Sequence, residues 1–198
     1  PGPFSKGSPA DGATGQSASP TLTWGSSSDA TSYEYCLSTV TSCSAWTSVG
    51  GLQSVSVSGL APGAKLYWSV RARNGSATTE ANTGAWWAFT TAALLPDLTV
   101  SSITNPPASV IVGATFSVTD TTANQGSGTA GASTTRYRLS TDSTITSADA
   151  LLTGTRSVPS LAAGGTSSGS VTVTIPAGTA PGIYYLGVCA DDLGAVTE

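Results

Sequence analysis

Apolar and polar residues alternate along most of this chain, in short runs. Thr21-Leu22-Thr23-Trp24 carries its apolar side chains at every second position and runs into Gly25-Ser26-Ser27-Ser28-Asp29, a turn composition. Tyr33, Tyr35 and Leu37 repeat the spacing, as do Val55 and Val57, then Leu66, Trp68, Val70 and Ala72. The run 85–90 places Trp87 and Phe89 on one face and Trp86 on the other. Further along, 98–103, 115–119, 134–139, 169–175 and 183–189 read as strands, the last two through Val171, Val173, Ile175 and Tyr184, Leu186, Val188. Short strands separated by Gly-, Pro- and Ser-rich turns predict an all-β protein. A break at Leu94-Leu95-Pro96 divides it into two β-sandwich domains, 1–94 and 95–198.

Composition narrows the chemistry. The chain has no His, which removes the commonest general base and metal ligand and with it any Ser-His-Asp, Cys-His or His-bearing zinc site. Only 9% of residues are charged, for a net charge of −4. The four basic residues of 1–94 and the three of 95–198 are scattered, so no patch predicts binding to nucleic acid. No stretch reaches the roughly 18 to 20 consecutive apolar residues that a membrane helix needs, so no membrane insertion is expected. With no Met and a Pro1-Gly2-Pro3 start, the chain reads as processed or excised from a longer one.

Within 1–94, Trp24 on the second strand, Tyr33 opening the third, Leu60-x-Pro62, Val70-x-Ala72-x-Asn74 and a closing Trp87-x-Phe89 occur in the order of a fibronectin type III domain, which this half resembles. The position six after Leu60, where that family usually places a corner tyrosine, holds Leu66, with Tyr67 one residue later. Either the turn carries an extra residue or the corner hydrogen bond is missing. The second half carries Pro96-Asp97-Leu98, Asn124-Gln125-Gly126, Tyr137-x-Leu139-Ser140-x-Asp142, Leu161-x-x-Gly164, Ile175-Pro176-Ala177 and Gly182-Ile183-Tyr184-Tyr185-Leu186. It resembles the bacterial cell-adhesion-related domain CARDB, and the two resemblances together imply an all-β chain of two tandem immunoglobulin-like β-sandwiches. Members usually continue into a final strand beside 183–189, so the second domain is expected to lack that strand, to be completed by further chain or by a neighbouring subunit.

Candidate sites are few. Cys36 ends one alternating strand and Cys43 lies in the loop after it, so a disulfide across that hairpin is expected. Cys189 reads as an inert buried thiol or as the partner of a Cys outside the chain. Trp46, Tyr67, Trp68, Trp86 and Trp87 would stack on sugars if several shared one exposed face; alternation leaves Tyr67 and Trp86 outside, as an exposed cross-strand pair. Asp142 and Asp149 flank a Ser/Thr-rich loop and are weak calcium candidates beside the simpler reading as turn caps, and Asp191-Asp192 reads as a solvated turn. Asn74-Gly75-Ser76 matches a glycosylation acceptor but reads more simply as a turn. No catalytic residue and no cofactor is expected. The chain reads as a non-catalytic spacer, adhesion or assembly module of a bacterial secreted or surface protein, with other domains, neighbouring copies, a glycan or a cell-surface protein as partners. A filament subunit joined by strand addition and an accessory carbohydrate-binding module of a secreted hydrolase are the alternatives.

Overall fold

The computed structural model describes residues 1–198, as two compact units, Pro1–Ala93 and Leu94–Glu198. Both are built from strands, with one 3-10 turn at Ala81–Gly84.

The first unit contains β1 (Lys6–Ser8), β2 (Ala13–Gln16), β3 (Thr21–Trp24), β4 (Ser32–Ser38), β5 (Thr47–Gly50), β6 (Ser54–Ser56), β7 (Lys65–Asn74), β8 (Ala77–Glu80) and β9 (Trp87–Thr91). They form a three-stranded sheet, β1-β3-β6, and a larger one, β2-β9-β7-β4-β5, with β8 pairing β7. The alternation selects the core: Leu22, Trp24, Tyr33, Leu66, Trp68, Val70, Ala72 and Phe89 are buried together. Trp87 is only half-buried and packs edge-on against Trp68, with ring centroids 6.0 Å apart. At the corner Leu66 belongs to the core and no tyrosine makes the bond. Thr91 takes its place: its Oγ1 donates to the carbonyl of Ala61 at 2.6 Å and accepts from the N–H of Ala64 at 2.9 Å.

Lys6 is a buried charge that the pattern did not announce. It is 5% exposed, with Nζ donating to the Ala85 carbonyl and lying 5.8 and 5.6 Å from the ring centroids of Trp68 and Trp87. Desolvation lowers its pKa from 10.5 to about 8, against the pull of Glu80 and Asp11. The folded state therefore releases this proton before the unfolded chain does. Burial of the ammonium costs stability in full below pH 8, and the cost fades as pH rises from about 8 to 10.5. All five Trp lie in 1–94, so their fluorescence reports this unit. Across that window, wild-type stability in urea should rise relative to Lys6→Met by up to about 3 kcal/mol. Parallel pH profiles for the two proteins would refute the assignment.

The second unit contains β10 (Leu98–Ile103), β11 (Thr115–Asn124), β12 (Ser133–Ser140), β13 (Ala150–Val158), β14 (Thr166–Thr174) and β15 (Tyr185–Cys189). Sheet β10-β11-β14 faces sheet β13-β12-β15. β11 and β14 pair without a register break from Thr115↔Thr174 to Ala123↔Thr166. The core is divided. One apolar cluster holds Val118, Tyr137, Leu139, Leu152, Val173 and Ile175, and another holds Leu98, Ala130, Val158 and Leu161. A buried polar group also lies inside this unit: Asp120 accepts from Arg156 Nε at 2.9 Å and from the Tyr137 hydroxyl at 2.7 Å, while Arg156 Nη2 donates to Thr122 at 2.8 Å. Burial first, then the Asp120 carboxylate, pushes the ionisation of Tyr137 strongly upward.

Candidate functional site

In the first unit, alternation along β4 and β7 that turns Tyr33, Leu66, Trp68 and Val70 inward turns Glu34, Lys65, Tyr67, Arg71 and Arg73 to the other face. Glu34 stands opposite Arg71, Cys36 opposite Ser69 and Ser38 opposite Tyr67. Cys36 and Cys43 form the expected disulfide, with Cα atoms 6.0 Å apart, closing a loop of sequence separation 7. Cys36 and Ser69 are buried although alternation directs them outward, and the bond to Cys43 ties the loop to the Cys36 end of this face. Just past the loop, Trp46 lies over Arg71, with the guanidinium carbon 4.3 Å from a ring centroid.

The charged groups of this face form a ladder. Arg71 Nε donates to Glu34 Oε2 at 2.7 Å and Arg73 Nη1 to Glu34 Oε1 at 3.2 Å. Burial works to raise the pKa of Glu34, but the hydrogen bonds and charges of Arg71 and Arg73 outweigh it and hold the carboxyl below its ordinary value. Nε is the only nitrogen of Arg71 that meets a protein acceptor, so Nη1 and Nη2 remain free donors.

The expected Tyr67–Trp86 cross-strand pair is corrected. Tyr67 stands opposite Ala88, and Trp86 precedes β9. The register ends at Trp68↔Trp87, and one position further it sets Trp86 alongside Ser69. Trp46, Tyr67 and Trp86 are all half-buried. Three aromatic residues thus belong to the surface of one sheet, diagonal to one another rather than paired. Lys65 Nζ lies 5.4 Å from the Tyr67 ring centroid. Asn74 ends β7 at a turn through Gly75, and its side-chain amide donates to the Asp29 carbonyl at 2.7 Å.

In the second unit each carboxylate named from the sequence serves its own turn. Asp142 accepts from the N–H of Thr144 at 2.7 Å, and Asp149 accepts from the N–H and hydroxyl of Thr146. The Thr146 backbone, then the Ser140 hydroxyl, holds Asp149 below its ordinary pKa. No group of three His, Cys, Asp or Glu side chains converges as a metal centre would require. Asp191 and Asp192 are not the solvated pair that adjacency suggested. Asp191 adopts positive φ and accepts from the N–H groups of Ala195 and Val196, while Asp192 bridges Arg136 at 3.2 Å and Arg138 at 2.9 Å. Cys189 ends β15 opposite Arg136, half-buried and unbridged, and desolvation raises its pKa.

β15 begins at Tyr185, two residues later than the pattern implied, and Ile183 is 85% exposed. β15 pairs with β12 alone. Beside it Phe116, Leu139, Ile175, Tyr184 and Leu186 line a cavity of about 260 Å³.

Compared with protein families, residues 95–198 match CARDB. No curated protein matches the chain.

Proposed function

Because the chain belongs to the CARDB family through residues 95–198, we infer that it is a non-catalytic adhesion and spacer module of a bacterial secreted or surface-exposed protein. The family match, which spans the second sandwich from β10 to β15, carries the reading. The Cys36–Cys43 bridge suits an oxidising, extracellular compartment, and no helix is long and apolar enough to cross a membrane. The first unit is read as a fibronectin type III-like partner domain, which its two-sheet sandwich and the buried Trp24, Tyr33 and Val70 support. Fold by itself names no ligand. The three aromatic residues beside the Arg71 ladder favour a surface glycan as what this unit holds.

A second reading rests on the edge of β15. Its outer row of backbone donors and acceptors is unpaired and lies next to an apolar cavity, which suits an added strand. Beads coated with the 198-residue chain should adhere to polysaccharide-coated surfaces, and antibodies against the chain should label intact cells of the producing bacterium. Beads that do not adhere, with antigen found only after lysis, would overturn the adhesion reading. Sedimentation velocity separates the alternatives: growth of the particle with protein concentration indicates strand exchange between copies, and a constant monomer excludes it.

A further inference from the structure

We propose that the outer face of β4 and β7 binds an acidic polysaccharide, seating a carboxylate-bearing pyranose ring between the aromatic side chains and Arg71. The proposal rests on the glycan reading of this face and adds the charge of the ligand.

Charge distribution is the first argument. Residues 1–94 contain four cations, Lys6, Lys65, Arg71 and Arg73, against four acidic residues, so the unit is neutral overall. Lys6 is buried away from this face. Every cation of the unit that reaches solvent therefore projects from β7 onto one surface, where Glu34 of β4 and Glu80 of β8, both opposite Arg71 in register, face three positive charges.

Availability is the second. Glu34 holds Arg71 through Nε and leaves both terminal amino groups unpaired, while Trp46 stacks on the guanidinium and fixes its plane. A fixed planar fork with two free donors matches a carboxylate in bidentate geometry. Lys65, exposed and without a hydrogen-bond acceptor in the protein, adds a second positive charge next to Tyr67.

Ring recognition is the third. Register sets the half-buried Trp86 and Tyr67 on the face that carries these cations, and aromatic rings there suit the C–H face of a sugar. A nucleic acid backbone demands a longer run of cations than these three. An acidic peptide would have use for the charges but little for the aromatic surface.

Titration calorimetry of the intact chain with polygalacturonate, its fully methyl-esterified form and polyglutamate tests each part. Polygalacturonate should bind, more weakly as salt rises, and esterification should reduce affinity by about tenfold or more. Arg71→Gln and Trp86→Ala should each lower affinity by a similar factor, and Lys65→Gln by less, with the urea midpoint read by Trp fluorescence confirming that each variant is folded. Equal binding of acid and ester would overturn the proposal and leave the glycan reading standing. Polyglutamate binding as tightly as polygalacturonate would overturn it in favour of a charge-only surface. No binding to any of the three would overturn both.

Discussion

Asp120→Ala should destabilise the second unit by about 3 to 5 kcal/mol, enough to remove most of the stability of a domain this size. Asp120 is fully buried, and Arg156, 8% exposed, donates to it from both Nε and Nη2. Without the carboxylate, a guanidinium would stay in the core with only Thr122 and Ser167 as acceptors, and the Tyr137 hydroxyl would lose its partner. The effect should come from leaving a charge uncompensated rather than from the strength of the pair. Asp120→Leu combined with Arg156→Met should therefore recover much of the loss, because an apolar pair removes both charges from the interior. Calorimetry of the single and double variants reads the coupling. A single variant that melts with the wild type, or a double variant no better than the single, would show that Arg156 reaches water in the folded state.

The same polar group explains which elements could be read from the sequence. The first unit's strands β3, β4, β7 and β9 carry apolar residues at their inward positions, and alternation located them. Alternation marks β11 only over 115–119 although the strand continues to Asn124, because its next inward residues, Asp120, Thr122 and Asn124, are buried yet polar. Alternation does not reveal β13 for the same reason: its inward series is Leu152, Gly154, Arg156 and Val158, and a Gly and an Arg break the pattern. An inward Arg is indistinguishable from a surface Arg until its partner on another strand is known. β1, β2, β5 and β8 escaped because they are three or four residues long and mostly exposed. Of the outer face, Trp46, Tyr67 and Trp86 were legible as types of residue. The Glu34–Arg71–Arg73 ladder was not, since it depends on the β4–β7 register.

Register also shows why residues scattered through the second half occur together, and Asn124 is where they meet. Its Oδ1 accepts from the N–H of Asp97 at 3.0 Å and of Gly126 at 3.1 Å, and its Nδ2 donates to the carbonyls of Gly128 at 2.7 Å, Leu161 at 3.0 Å and Ala162 at 3.2 Å. Pro96-Asp97-Leu98, Asn124-Gln125-Gly126 and Leu161-x-x-Gly164 thus meet at one junction around the buried Asn124 amide. Gly126 and Gly128 complete it, since a Cβ on either would collide with the backbone of residues 94–97. Asn124→Ala should cost about 3 kcal/mol, because buried and part-buried donors and acceptors on three segments lose their partners at once. Asn124→Asp separates hydrogen bonding from size. With nearly the same shape, it places an acceptor where three carbonyls need a donor, so at neutral pH it should be at least as unstable as the alanine variant. Protonation of the new carboxyl restores one donor. Unlike Asn124→Ala, the Asp variant should therefore regain stability relative to wild type as pH falls through its raised pKa, measured by the calorimetric transition of the second unit. An aspartate variant as stable as wild type at neutral pH would mean that the amide nitrogen does not hold these strands together.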